Sequence, residues 1–206
     1  MIVAIDGPAA SGKGTLGKRL ADHLGYHHLD TGLLYRAVGL KRTLQGLDPE
    51  QAAHSLTSED LADPALREEA AGRAASEVAV IPAVRQALLD FQRRFARQLP
   101  GAVLDGRDIG TIVCPDADIK LFVTASVEKR ADRRCKELKA RGESFIAERV
   151  LQDLRERDAR DSSRAVAPLV PAHDAILLDT SDLDADAAFR AAVAILDGKG
   201  LSPSGV

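Results

Sequence analysis

Apolar and polar positions along this chain fall into blocks with two different rhythms. Residues 2–6, IVAID, are a short, nearly continuous apolar run, the pattern of a strand buried on both faces of a parallel sheet. From Lys13 the rhythm becomes helical: Leu16, Leu20 and Leu24 recur every four residues, and Gly25 supplies a stop. A short strand over 26–29 and a helix over Leu33–Gln45 follow. Residues 46–75 are acidic and alanine-rich, with Asp-Pro at 48–49 and 63–64, and are expected to form an irregular, mobile connection with short helical or strand pieces. Pro82 opens a helix predicted over 82–98, a favoured place for proline. AVLD (102–105), IKLFVTA (119–125) and AILLDTS (175–181) read as three more strands, and 127–140, 143–161 and 184–197 as helices. Five strands alternating with helices predict an α/β fold with a doubly wound parallel sheet. The tail 198–206 has no apolar period and is expected to be disordered.

Composition changes this picture little. The 206 residues suffice for one compact domain, and 45% apolar with 29% charged residues is an ordinary globular mix. No apolar run is long enough to span a membrane, and the N-terminal MIVAIDG reads as a buried strand rather than a signal peptide. Cys114 and Cys135 have no metal-binding or redox spacing and fit a reducing, cytoplasmic setting. The net charge of −3 and the lack of tryptophan argue against a nucleic-acid surface with stacking platforms. Yet the 28 basic residues comprise 20 arginines and 8 lysines, and arginine's planar fork suits bidentate grips on phosphate.

The chemistry concentrates in four stretches. IDGPAASGKGT (5–15) places Gly7, Gly12 and Lys13 in phosphate-loop spacing between a strand and a helix. There the backbone N–H groups of Gly7, Pro8, Ala9, Ala10, Ser11, Gly12, Lys13, Gly14 and Thr15, proline's missing one excepted, line an anion cradle at a helix N-terminus. Lys13 would reach the outer phosphates and the Thr15 hydroxyl an inner one. Gly14 departs from the usual Ser or Thr, whose hydroxyl touches magnesium. Mg²⁺ must then be held mainly by phosphates and water, with no protein ligand assigned, or a carboxylate elsewhere must help. In LDTGLLYRAVG (29–39), Asp30 ends a strand, and Arg36 sits where it can hold an acceptor phosphate. In LDGRDIGT (104–111), Asp105, Arg107 and Asp108 cluster at a strand end, an expensive arrangement unless it meets a polar ligand. In RERDARDSSRAVAPL (155–169), helical spacing puts Arg157, Arg160, Asp161 and Arg164 on one face. Two basic helices around Gly142 look like a hinged flap over phosphates.

Together these stretches, with ASEVAVIPAVR (75–85), resemble bacterial cytidylate kinases over nearly the whole chain to residue 197. DGRDIGT and RDSSRAVAPL are the most specific parts; Ala9-Ala10 and Leu33 are mild departures. The resemblance implies transfer of the γ-phosphate of ATP to CMP or dCMP. It implies a single P-loop kinase domain over 1–197, with core 1–45, 99–130 and 165–197, an NMP-binding insertion over 46–98 and a short Arg-rich lid over 131–164. Asp108, Arg85 and Ser76 match the family's base contacts, and Arg36 and Arg107 those to the CMP phosphate. Asp161 matches a contact near the sugar hydroxyls, and Arg164 one on the nucleotide's sugar or phosphate. Lys13, Arg133, Arg157 and Arg160 match charges around the transferred group. The family leans to monomers. Rival readings are a shikimate, dephospho-coenzyme A or adenylate kinase, a nucleotide-binding switch, and a nucleic-acid binder.

Overall fold

The computed structural model describes residues 1–200. Five strands form one all-parallel sheet in the order β2-β3-β1-β4-β5. They are β1 (Ile2–Asp6), β2 (His27–Asp30), β3 (Ala102–Gly106), β4 (Ile119–Thr124) and β5 (Ile176–Asp179). The central strands carry the apolar runs because both of their faces are covered. On one face, α1 (Lys13–Leu24) and α9 (Ala185–Gly198) close a core of Val3, Ile5, Leu16, Leu20, Leu121 and Leu196. On the other, Ala4, Ala102, Leu104 and Ile109 pack with Ala96 of α6 (Pro82–Ala96). The chain steps from β1 outward to β2, returns to β3 beside β1, then crosses to β4. That reversal places the carboxyl ends of β1 and β3 side by side, where open α/β sheets bind ligands.

The expected strands and helices stand within a few residues of their predicted bounds, with informative exceptions. Residues 46–75 are not irregular. They form α3 (Pro49–His54), α4 (Ser58–Ala62), a 3₁₀ turn (Pro64–Arg67) and most of α5 (Glu69–Val78). Both Asp-Pro pairs start helical turns: Asp48 and Asp63 accept from the N–H groups of Glu50 and Ala65 at 2.9 and 2.8 Å, with proline just inside. Ala52, Ala53, Ala75 and Val78 then bury against Leu34 and Val38 of α2 (Thr31–Gln45), forming a satellite core.

The basic pair is α7 (Val127–Ala140) and α8 (Ala147–Ser162), joined through Gly142 at φ 73°. α8 starts four residues later than predicted and stops before Arg164, which therefore lies off the helix. α9 extends to Gly198, so the first residue of the expected disordered tail is helical, and 201–206 lie outside the described residues. No helix among the described residues is long and apolar enough to cross a membrane. Cys114 is buried and free, its thiol pushed up to about 11 by burial; Cys135 is free and partly buried.

Candidate active site

The phosphate loop is built by close approach. A Cβ on Gly7 would stand 2.0 Å from the Val123 carbonyl oxygen of the neighbouring strand, so only glycine lets the loop leave β1 there. Gly12 (φ 92°) and Ala10 (φ 57°) take left-handed conformations that curl the loop before α1 begins at Lys13. Lys13 Nζ donates to the Pro8 carbonyl at 3.3 Å. Burial, then the like charge of Arg107, lowers its amine to about 7. A lysine so disfavoured as a cation gains strongly from an anion in the cradle.

Arginines of α7 grip the loop from outside. Arg130 donates to the carbonyls of Ala125 (2.9 Å) and Ala9 (3.2 Å) and clasps both oxygens of Asp158 on α8, at 3.1 and 2.6 Å. Ala9 itself packs among Ala131, Leu138, Val150 and Leu154 of the two basic helices. Arg133 donates to Ser11 O (3.1 Å), Thr180 Oγ1 (3.0 Å), Leu183 O (3.3 Å) and the Thr180 carbonyl. It borders a cavity of about 380 Å³ that Gly12, Thr15, Leu16, Leu183 and Ala188 also line, on the outer side of the loop.

Carboxylates crowd the strand ends. Asp6, last residue of β1, accepts from the N–H groups of Ile109 and Gly110, both at 2.8 Å, and ties the loop strand to the turn after β3. Burial raises its carboxyl to about 6. Asp30 caps α2 by accepting from Gly32 N at 2.9 Å, and burial followed by the neighbouring Asp105 charge raises its pKa. Asp105 meets His28 Nε2 at 2.9 Å.

Beyond β3 the chain alternates charge. Asp108 is paired with Arg85 of α6 in a short hydrogen bond, both groups more than nine-tenths buried. Burial raises the Asp108 pKa against the pull of Arg85. The Arg85 guanidinium also lies 5.7 Å from the Tyr35 ring centroid. Arg107 Nε donates to Asp161 Oδ2 at 2.8 Å, and Arg164 binds Oδ1 of the same carboxylate. Burial pushes Asp161 up, but Arg107 and Arg164 more than reverse that and hold it below the usual carboxylate value. Ser76, on α5, is buried and its hydroxyl has no partner, as is true of Nε on Arg157 and Arg164. Buried polar atoms left open in this way mark a place for a polar ligand.

Positive charge gathers between these groups and the loop. Burial, then Arg107, pushes Arg157 down to about 9, and burial likewise lowers Arg36 and Arg164. Arg36 donates to the Leu66 carbonyl at 2.8 Å, and the tips of Arg36 and Arg157 come within 3.5 Å of where a Gly72 Cβ would be. Ala9, Ala10, Arg36, Gly72, Arg157 and Arg160 border a cavity of about 250 Å³. Glu69, Glu137, Asp153 and Glu156 line the same cavity, so its five arginines keep only a small positive excess, which favours an anion.

The geometry thus joins residues far apart in sequence. Arg36, Arg85, Arg107, Asp108, Arg157, Asp161 and Arg164 converge on the carboxyl ends of β1, β2 and β3 and on the helices above them. Arg160 is exposed and reaches only the rim of the smaller cavity. The shared helical face expected for Arg157, Arg160, Asp161 and Arg164 is thereby corrected: Arg164 turns back from beyond the helix end to meet Asp161. Sequence reasoning missed Asp6, Tyr35, His28 and the Arg130–Asp158 clasp. A carboxylate ending an apolar strand signals Asp6; nothing local signals a pair 28 residues apart. Among the described residues, no three His, Cys, Asp or Glu side chains gather as a metal site.

A parallel sheet whose phosphate loop faces an arginine-lined cleft across a strand-order reversal defines a P-loop phosphotransferase fold. A solved structure from Eubacterium ventriosum, of a protein described as uncharacterized, shares the fold with a TM-score of 0.56 at 16% identity, covering 96% of this chain and 98% of that one. A family model described as "Cytidylate kinase" matches residues 3–60 and 50–196, and the chain belongs to that family. A relative from Paramagnetospirillum magneticum named cytidylate kinase is 64% identical over 96% of this chain and 98% of its own. Another of that name, from Azorhizobium caulinodans, is 60% identical over the same shares.

Proposed function

We propose that this protein transfers the γ-phosphate of ATP to CMP or dCMP, giving ADP and CDP or dCDP. The observation that carries the acceptor assignment is the buried Asp108–Arg85 pair, with the open Ser76 hydroxyl on the preceding helix. Cytosine offers an amine at position 4 and acceptors at N3 and O2. An ionised Asp108 only accepts, so it suits the amine, while Arg85 and Ser76 donate to the other two. Uracil reverses positions 3 and 4 and leaves buried groups mismatched, at about 1–3 kcal/mol each.

Lys13 and the backbone N–H groups of residues 7–15 hold the ATP phosphates, and the cavity beside Arg133 takes the rest of the donor. Arg36 and Arg107 hold the CMP phosphate, with Asp161 and Arg164 by the sugar. Arg157 and, at the rim, Arg160 bring positive charge to the transferred group. No general base is needed, because the attacking phosphate oxygen is already ionised at neutral pH. Positioning and electrostatic stabilisation of an in-line transfer then do the chemistry. Closing α7 and α8 over the cleft excludes water that would otherwise hydrolyse ATP.

The donor set fits a magnesium nucleotide. Asp105 Oδ1 lies 3.7 Å from where a Cβ on Gly14 would be, so a carboxylate faces the space into which a Ser or Thr side chain would project. Bound Mg²⁺ would be held by the phosphates and water, and Asp105 and neighbouring Asp30 would accept from that water shell. Bound magnesium neutralises phosphate charge. The family resemblance leans to a monomer, and the two free cysteines fit a reducing, cytoplasmic setting. The net charge of −3 speaks against a nucleic-acid partner.

The decisive assay couples ADP release from Mg-ATP to CMP, dCMP, UMP, AMP and shikimate in turn. Turnover confined to CMP and dCMP is expected. Preference for another acceptor would reassign Asp108, Arg85 and Arg107, and tight ATP binding without turnover would make the protein a nucleotide switch.

A further inference from the structure

Two glycines one helical turn apart, Gly14 and Gly17, face the same carboxylate from α1. A Cβ at Gly14 would come 3.7 Å from Asp105 Oδ1; one at Gly17 would come 3.5 Å from Oδ2 and 3.1 Å from His28 Nε2. Glycine weakens a helix interior, so Gly17, within α1, needs a reason. It makes room for a side-chain pair wedged between α1 and the sheet: His28 Nε2 and Asp105 Oδ2 at 2.9 Å, the carboxylate almost wholly buried and the imidazole largely so.

We propose that His28 is a positioning residue that holds Asp105 with one oxygen turned toward the Mg-ATP site. In the tautomer this role requires, with the proton on Nε2, the imidazole donates and the carboxylate oxygen accepts. That bond occupies Oδ2 and leaves Oδ1 on the Gly14 side, toward the phosphate loop. The Asp105 backbone is pinned separately, by Thr31 Oγ1 donating to its carbonyl at 2.8 Å. Its side chain therefore depends on His28 for its rotamer. The need is specific to this place. Asp30 pairs with Asp105 in strand register and carries like charge, so the hydrogen bond from His28 offsets part of the cost of holding the two carboxylates together. His28 and Asp30 are two apart on β2 and share one face of that strand, so imidazole and carboxylate flank Asp105 together. Removing the partner of a direct metal ligand alters metal affinity by about 10–100-fold; His28 acts one shell further out, through a carboxylate that meets the metal's water, so the loss expected here is at most about tenfold.

The inference rests on the reading that Asp105 serves the magnesium water shell, and the test separates the two. Mn²⁺ is titrated into the full-length protein with ATP and no acceptor, and free Mn²⁺ is read by electron paramagnetic resonance. Metal-free ATP affinity and melting temperature are measured alongside. His28→Leu is expected to weaken Mn²⁺ binding by up to about tenfold with metal-free ATP affinity unchanged. His28→Gln, whose amide can still donate to Oδ2, should recover most of the loss. The half-saturating Mg²⁺ for turnover should rise in parallel while the KM for CMP stays put. Unchanged Mn²⁺ affinity in His28→Leu, with a lower melting temperature, overturns the proposal and makes the pair structural. Unchanged Mn²⁺ affinity in Asp105→Asn removes the magnesium reading of Asp105 and the proposal with it, leaving the acceptor assignment untouched. Should His28→Leu fail to fold, His28→Asn, too short to reach Oδ2, repeats the loss arm; failure of both to fold counts against the proposal.

Discussion

Replacing Asp108 by asparagine keeps the shape of the side chain and deletes its charge, so it tests base reading directly. In the native protein the carboxylate is 5% exposed and its partner Arg85 8% exposed, and the two are joined by a short hydrogen bond. For CMP, the variant loses a charge-assisted bond to the amine, about 2 kcal/mol in a dry site. For UMP, the asparagine amide can turn its N–H toward the position 4 carbonyl and regain about 1 kcal/mol. The CMP-to-UMP ratio of kcat/KM should then fall by about 3 kcal/mol, or roughly two powers of ten. Arg85 is meanwhile left without its counter-charge, and breaking a buried pair costs about 3–5 kcal/mol of stability. For a domain of this size that lowers the melting temperature by about 2–4 °C per kcal/mol, so the kinetics belong well below the transition. The assay is initial-rate ADP release with each acceptor over a range of concentrations. If CMP and UMP decline by the same factor while the variant remains folded, Asp108 only braces Arg85, and the base-reading argument is wrong. Acidification should act in the same direction: because burial raises the Asp108 pKa, discrimination should fade as pH drops, starting above the ordinary carboxylate range.

Lys13, lowered to about 7, sheds its proton in the ligand-free protein between that pH and 10.5, where the unfolded chain keeps it; stability from this group therefore rises with pH across that window. Bound polyphosphate raises the pKa again, so ATP binding at pH 8 should take up close to one proton, seen by calorimetry in buffers of different ionisation enthalpy; no uptake would refute this account. Arg157→Ala should lower kcat by about 10³-fold or more, as loss of a charge on the transferred phosphoryl group does. It should leave the ligand-free melting temperature unchanged or raised, because Arg157 is buried among like charges; a large drop would show it to be structural. Arg130→Ala should cost about 1–3 kcal/mol in denaturant unfolding, because Asp158 is a quarter exposed and can be rehydrated, and raise the KM for ATP, since it unties the loop from α8; a near-neutral variant would mean the clasp at Asp158 contributes nothing.

Local pattern was enough for the sheet strands, the long helices and the phosphate loop, because each is written in neighbouring residues: a two-sided apolar run, a four-residue leucine period, glycines around a lysine. The resemblance brought the proposed partners of the base into view, but through motif order rather than contact. Residues 46–75 misled because their alanines and Asp-Pro pairs are weak signals alone; they become helices once Asp48 and Asp63 cap them and α2 offers an apolar face. Contacts between distant segments stayed hidden. His28 lies 77 residues before Asp105, Arg107 lies 54 before Asp161, and Asp6 lies more than a hundred before the turn it holds. Parallel strands brought together by crossover helices place such groups at one sheet edge, and no periodicity along the chain encodes which carboxylate meets which arginine. The chain's own spacing thus marks the glycine-rich loop proposed to bind phosphate. The strand order settles which charges face it, since the reversal between β1 and β3 sets the loop and the acidic turn side by side.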